Sequence, residues 1–88
     1  KFVLLTNVRG IMKDKDDPLT LYNTITVGDI GKLIKKRVIN SGMIPKAISC
    51  VNAIKGGVKK AHILDAAIPH ALLLEMFTDK GVGTEIIK

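Results

Sequence analysis

The stretch Ile44-Pro45-Lys46-Ala47-Ile48-Ser49-Cys50-Val51-Asn52-Ala53-Ile54-Lys55-Gly56-Gly57-Val58-Lys59-Lys60-Ala61-His62-Ile63-Leu64-Asp65 decides the fold class. Ile44, Ala47, Ile48, Val51 and Ile54 recur at helical spacing and fall on one face. Pro45 is tolerated only in a first turn, where its missing N–H would have no intrahelical partner, so the helix begins beside it. Gly56-Gly57 stops it. Residues 58–64 then read as a strand ending at Asp65. Helix followed directly by strand is the unit from which α/β layers are built.

Upstream, Phe2-Val3-Leu4-Leu5-Thr6 is a continuous apolar run closed by Asn7. It predicts a strand buried on both faces, as in a parallel sheet. Residues 7–17 supply loop chemistry: Gly10, then the mixed-charge cluster Lys13-Asp14-Lys15-Asp16-Asp17 ahead of Pro18. Ile11 and Met12 pairing with residues 19–25 would make a β-hairpin excursion. Thr26 and Asp29 have the spacing of a capping box. Val27, Ile30, Ile34 and Val38 carry an amphipathic helix over residues 27–39. Asn40-Ser41-Gly42 breaks that helix and can cap the next. Downstream, Pro69 opens a short helix through Met76 or Phe77, Gly81-Val82-Gly83 turns the chain, and residues 84–87 form a last strand. The order strand, helix, helix, strand, helix, strand predicts an α/β fold.

At 88 residues the chain holds at most one domain with one modest core. Phe2, Tyr22 and Phe77 are its only aromatics, so that core is aliphatic. The net charge of +6 attracts anions of any kind, from nucleic acid and acidic membranes to nucleotides and carboxylates. The cations are scattered, however. The one run, Lys35-Lys36-Arg37, falls in a helical pattern and reads as a solvated face. Few aromatics means no stacking platform, so nucleic acid is not an expected partner. No apolar run approaches the roughly 20 residues of a membrane-spanning helix, and no membrane partner is expected. Cys50 stands alone, which suits a reducing compartment and excludes an internal disulfide framework. The chain opens on Lys1 and enters a strand-like run at once, the expected look of a fragment.

Two places invite chemistry. The loop Asn7-Val8-Arg9-Gly10-Ile11-Met12 follows the carboxyl end of a strand, the edge of an α/β sheet where ligands bind. It equally fits an ordinary turn. Lys46 falls in the first two turns of a helix, where the dipole is already positive, and no acid occurs between Lys32 and Asp65 to offset it. A phosphate held by free N–H groups after Ser41 and Gly42 would balance that charge. A solvent-facing lysine also fits. His62 sits inside an apolar strand pattern, and Glu75 is either a surface acid or a fixed anion for a cationic ligand. No metal-ligand spacing or nucleophilic triad is present, so the residues point to ligand binding and not to covalent catalysis.

Four segments in order carry a resemblance: Leu4-Leu5-Thr6-Asn7-Val8 with Gly10; Gly42-Met43-Ile44-Pro45-Lys46; Ala61-His62-Ile63 with Asp65; and Pro69-His70-Ala71-Leu72-Leu73-Leu74-Glu75-Met76-Phe77-Thr78-Asp79-Lys80-Gly81-Val82-Gly83-Thr84. Together they resemble the carboxy-terminal part of the acetylglutamate kinases, within the amino-acid kinase family. The resemblance implies that residues 1–88 are the nucleotide-binding portion of an αβα sandwich around a largely parallel sheet. The amino-terminal glycine-rich loop, its lysine and the acetylglutamate pocket would be missing. The implied activity is ATP-dependent phosphorylation of the γ-carboxylate of N-acetyl-L-glutamate in arginine synthesis, with Mg²⁺ accompanying ATP and no protein metal site.

By the same resemblance, Asn7, Val8, Arg9, Gly10, Ile11 and Met12, with Val38, Ile39 and Asn40, would contact ATP. Lys46 would stabilise the migrating phosphoryl group. His62, Glu75 and Gly81 would contact arginine as a feedback inhibitor. A homo-oligomer, commonly a hexamer, a P-II type nitrogen-signalling partner, and a cytoplasmic or plastid-stromal location are further implications. The chain departs from the family pattern at Asn7 (commonly Asp), Ser41 (commonly Gly) and Ala66-Ala67 (commonly Gly-Arg). A non-catalytic module binding arginine or a nucleotide is the alternative.

Overall fold

A computed structural model describes residues 1–14, 16–68, 70 and 82–88. Its elements are β1 (Phe2–Thr6), a 3-10 turn (Pro18–Thr20), β2 (Thr24–Thr26), α1 (Val27–Lys35), α2 (Ile44–Lys55), β3 (Lys60–Asp65) and β4 (Thr84–Ile87). The sheet runs β1-β3-β4-β2. β1 pairs parallel with β3 and β2 with β4, while β3 and β4 are antiparallel. The fold is α/β with a mixed, mostly parallel sheet, the class expected.

Register assigns the faces. Phe2 lies opposite Ala61, Leu4 opposite Ile63, and Ile86 opposite both Ala61 and Ile25. Because side chains alternate along a strand, these share one face. They meet Ile30 of α1 and Ala47, Cys50 and Ile54 of α2 in a core that, among the described residues, is almost wholly aliphatic. Burial without a compensating charge pushes the Cys50 thiol up to about 11, so it behaves as one more small apolar group. Val3, Leu5, His62, Leu64 and Glu85 take the other face. The helix expected from Pro69 and the turn residue Gly81 lie outside the described residues.

Several expected boundaries shift, each for a local reason. Among the described residues β1 is an outer strand with Leu5 57% exposed, so its apolar run is not buried on both faces. Helix α1 ends at Lys35, not residue 39. The Arg37 amide donates to Ile34 O and the Val38 amide to Leu33 O, a Schellman closure that folds Val38 back. Helix α2 ends the same way, Gly57 donating to Ile54 O and Val58 to Ala53 O, which keeps Val58 out of β3. The left-handed position is filled by Gly57 (φ 113°) in one closure and by Arg37 (φ 61°) in the other.

Thr26 sits at the N-cap of α1 without a side-chain capping bond, leaving the Asp29 carboxylate as the first turn's favourable charge. The hairpin excursion forms, but through a single Met12–Leu21 bridge flanked by Lys13 N–H to Thr20 O at 3.1 Å and Tyr22 N–H to Ile11 O at 2.8 Å. At Gly83 a Cβ would lie 2.1 Å from the Ile63 carbonyl oxygen, so glycine alone allows β4 to enter beside β3.

Candidate functional site

Parallel β1 and β3 end side by side, Thr6 opposite Asp65, with the Ala66 amide donating to Thr6 O at 2.8 Å. Just beyond this carboxyl edge lies a cleft of about 520 Å³. Its walls come from three places in the sequence: the loop after β1, the hairpin as far as Asp14, and the α1–α2 connection running into the start of α2. Such a volume falls within the range of small-molecule sites.

Lys46 is the third residue of α2 and half-buried. Its Nζ donates a short hydrogen bond to Thr6 Oγ1, so the side chain spans from the helix start to the end of β1. The first turn of α2 contains no acid, and among the described residues no carboxylate pairs with Lys46. An ammonium at the positive end of a helix, with donor capacity left over, is a site waiting for negative charge. Among the described residues cations outnumber carboxylates around it, with Lys13, Arg37 and Lys46 against Asp14.

The amide cradle expected at this helix start is narrower than the sequence suggested. The Met43 amide donates to the Asn40 backbone oxygen at 3.0 Å and lies 3.2 Å from its Oδ1, and the Ile44 amide donates to Asn40 O at 3.0 Å. Pro45 has no N–H to offer. Asn40 therefore ties down the connection with its own oxygens, so among the described residues the positive groups facing the cleft are chiefly the side chains of Lys13, Arg37 and Lys46.

Of the residues singled out in the sequence, Asn7, Val8, Gly10, Ile11, Met12, Val38, Asn40 and Lys46 converge on this one cleft. Arg9 is exposed and does not line it, and Ile39 is 2% exposed within the core. His62 is 2% exposed on the sheet face away from the helices, distinct from the cleft. Glu75 and Gly81 lie outside the described residues. Lys13, Asp14, Arg37 and Met43 line the cleft without having been anticipated. Arg37 was hidden by the helix end: extending α1 to residue 39 makes it part of a solvated stripe, whereas the Schellman closure turns it to the cleft.

The model of the amino acid kinase family matches residues 1–65. The chain belongs to that family. Among curated relatives, it is 54% identical over 87 residues to the acetylglutamate kinase of Moorella thermoacetica and 55% identical over 87 residues to that of Prochlorococcus marinus. Each alignment covers 99% of this chain but 29% of the relative. Among solved structures, N-acetylglutamate synthase from Neisseria gonorrhoeae complexed with coenzyme A and N-acetyl-glutamate superposes with a TM-score of 0.84 at 34% identity. The same synthase with coenzyme A and L-arginine gives 0.82 at 34% identity. Both matches cover 98% of this chain and 19% of the synthase. Among the described residues no helix is long and apolar enough to cross a membrane.

Proposed function

We propose that residues 1–88 are the nucleotide-binding portion of an acetylglutamate kinase, which passes the terminal phosphoryl group of ATP to the γ-carboxylate of N-acetyl-L-glutamate. The observation that carries this reading is the reach of Lys46 from the first turn of α2 to Thr6, beside the loop bearing Asn7, Gly10 and Met12. About half the positions match kinases of that name along the whole chain. Phosphoryl transfer asks a protein for positioning and for charge placed where the transition state develops it. Lys46 supplies the charge, while Asn7, Val8, Gly10, Ile11 and Met12 with Val38 and Asn40 hold the nucleotide. The chain spans about 30% of the relatives' length, so the acceptor pocket and the remaining catalytic groups belong to the rest of the enzyme. Among the described residues Asp14 is the one carboxylate lining the cleft. Mg²⁺ would therefore be held chiefly by the nucleotide's own phosphates.

The test is an assay of the intact protein for ATP-dependent phosphorylation of N-acetyl-L-glutamate. Phosphorylation that requires both substrates supports the reading; a protein that binds no nucleotide and transfers no phosphate refutes it. A second reading, an arginine-binding regulatory module, is favoured by the likeness to the arginine-complexed synthase. On that reading His62, Glu75 and Gly81 form the inhibitor contacts. Running the assay with and without arginine separates the two: inhibition of an active kinase joins them, and arginine binding without transfer leaves the module alone.

A further inference from the structure

Thr84 does not line the cleft, yet it is completely buried and bonded to the cleft's wall. Its Oγ1 accepts from the Ile11 amide at 2.9 Å and donates to the Tyr22 carbonyl at 2.8 Å. The Tyr22 amide donates in turn to Ile11 O at 2.8 Å. These three bonds close a ring that joins the loop after β1, the hairpin's return strand and the start of β4. Gly10 lies directly on the hydroxyl: at its φ of +151° a Cβ would sit 2.6 Å from Thr84 Oγ1 and 3.1 Å from the Thr84 amide nitrogen. Asn7, Val8 and Arg9 are exposed, so the first buried point of the loop after β1 is the Gly10–Ile11 corner resting on Thr84.

We propose that Thr84 is a positioning residue for the nucleotide, setting the height of the Gly10–Met12 wall from outside the cleft. The inference rests on the nucleotide reading above and names what holds that site in shape. A hydroxyl is needed because one atom must both accept from an amide and donate to a carbonyl. Valine has nearly the same shape and can do neither, leaving a buried amide and a buried carbonyl without this partner.

In the intact kinase, Thr84→Val is expected to raise KM for ATP about tenfold, because the Gly10–Met12 wall must shift for the Ile11 amide and the Tyr22 carbonyl to find other partners. Its kcat and its KM for N-acetyl-L-glutamate stay within about twofold, since the phosphoryl-stabilising lysine and the acceptor pocket are untouched. Thr84→Ser, which keeps the hydroxyl, restores the KM for ATP. An unchanged KM for ATP in an active Thr84→Val enzyme overturns the proposal. So does a general loss of activity, equal for both substrates, that serine fails to restore. Should Thr84→Val not accumulate as soluble protein, Thr84→Cys takes its place: nearly the same size but a weak acceptor, it is expected to raise KM for ATP selectively, and wild-type kinetics would refute the role. An unsubstituted protein that neither binds ATP nor transfers phosphate overturns the nucleotide reading and the Thr84 role together. Normal wild-type kinetics with an indifferent Thr84→Val removes the Thr84 role alone.

Discussion

Arg37 occupies a backbone conformation that disfavours it. At φ 61° an L side chain crowds the following carbonyl, and the same place in the second helix closure is given to Gly57. Glycine at 37 would relieve about 1–2 kcal/mol of that crowding and return roughly half of it as extra freedom of the unfolded chain. Arg37→Gly is therefore expected to stabilise the fold by about 0.5–1 kcal/mol in a denaturant titration. On the nucleotide reading it also weakens ATP binding, because the cleft loses one of the cations that line it. A variant that is less stable would disprove the strain, and one that binds ATP more tightly would disprove the charge argument. Lys46 was legible in the sequence because an uncompensated lysine at a proline-marked helix start is a local fact. Arg37 was not, because its direction depends on where α1 closes.

At the scale of elements, identity was more legible than extent. The strand before Asn7, the helix marked by Pro45 and the strand ahead of Asp65 are written in apolar spacing and punctuation. Their ends were read less well where Val38 and Val58 serve as closing residues of Schellman motifs and leave the elements their hydropathy assigns them to. Strand order and the antiparallel β3–β4 pairing are contacts between distant segments, and apolar pattern does not encode them. Close approach does leave a trace at Gly83, whose missing side chain makes room for the Ile63 carbonyl. Gly83→Ala is expected to cost about 3 kcal/mol or more, because the obstructing atom belongs to backbone and cannot rotate aside. Thermal or chemical denaturation measures it, and a loss below about 1 kcal/mol would show that β4 does not enter so close to β3.

For the whole molecule, composition correctly forecast an aliphatic core, and the order of four short segments pointed to the family. It could not forecast that the loop after β1, the hairpin and the α1–α2 connection would share one cleft, which only the assembled sheet edge brings about. The core also carries a pH signature. The Cys50 thiol is pushed up from 9.0 to about 11 by burial. Below pH 9 it is neutral in both states; between about 9 and 11 the unfolded chain ionises while the native one stays neutral, so stability falls as pH rises through that window. The loss approaches an order of 2 kcal/mol near pH 11. Cys50→Ala should remove this component of the alkaline decline, and an identical pH profile in both proteins would rule it out.

Lys46 bears most of the proposed chemistry, and pairing turnover with equilibrium ATP binding in the intact Lys46→Ala protein tests it. The kcat is expected to fall about 10²–10³-fold while the Kd for ATP changes by less than about fivefold, as for a donor that acts chiefly on transition-state charge. Turnover that survives the loss of this side chain would contradict it.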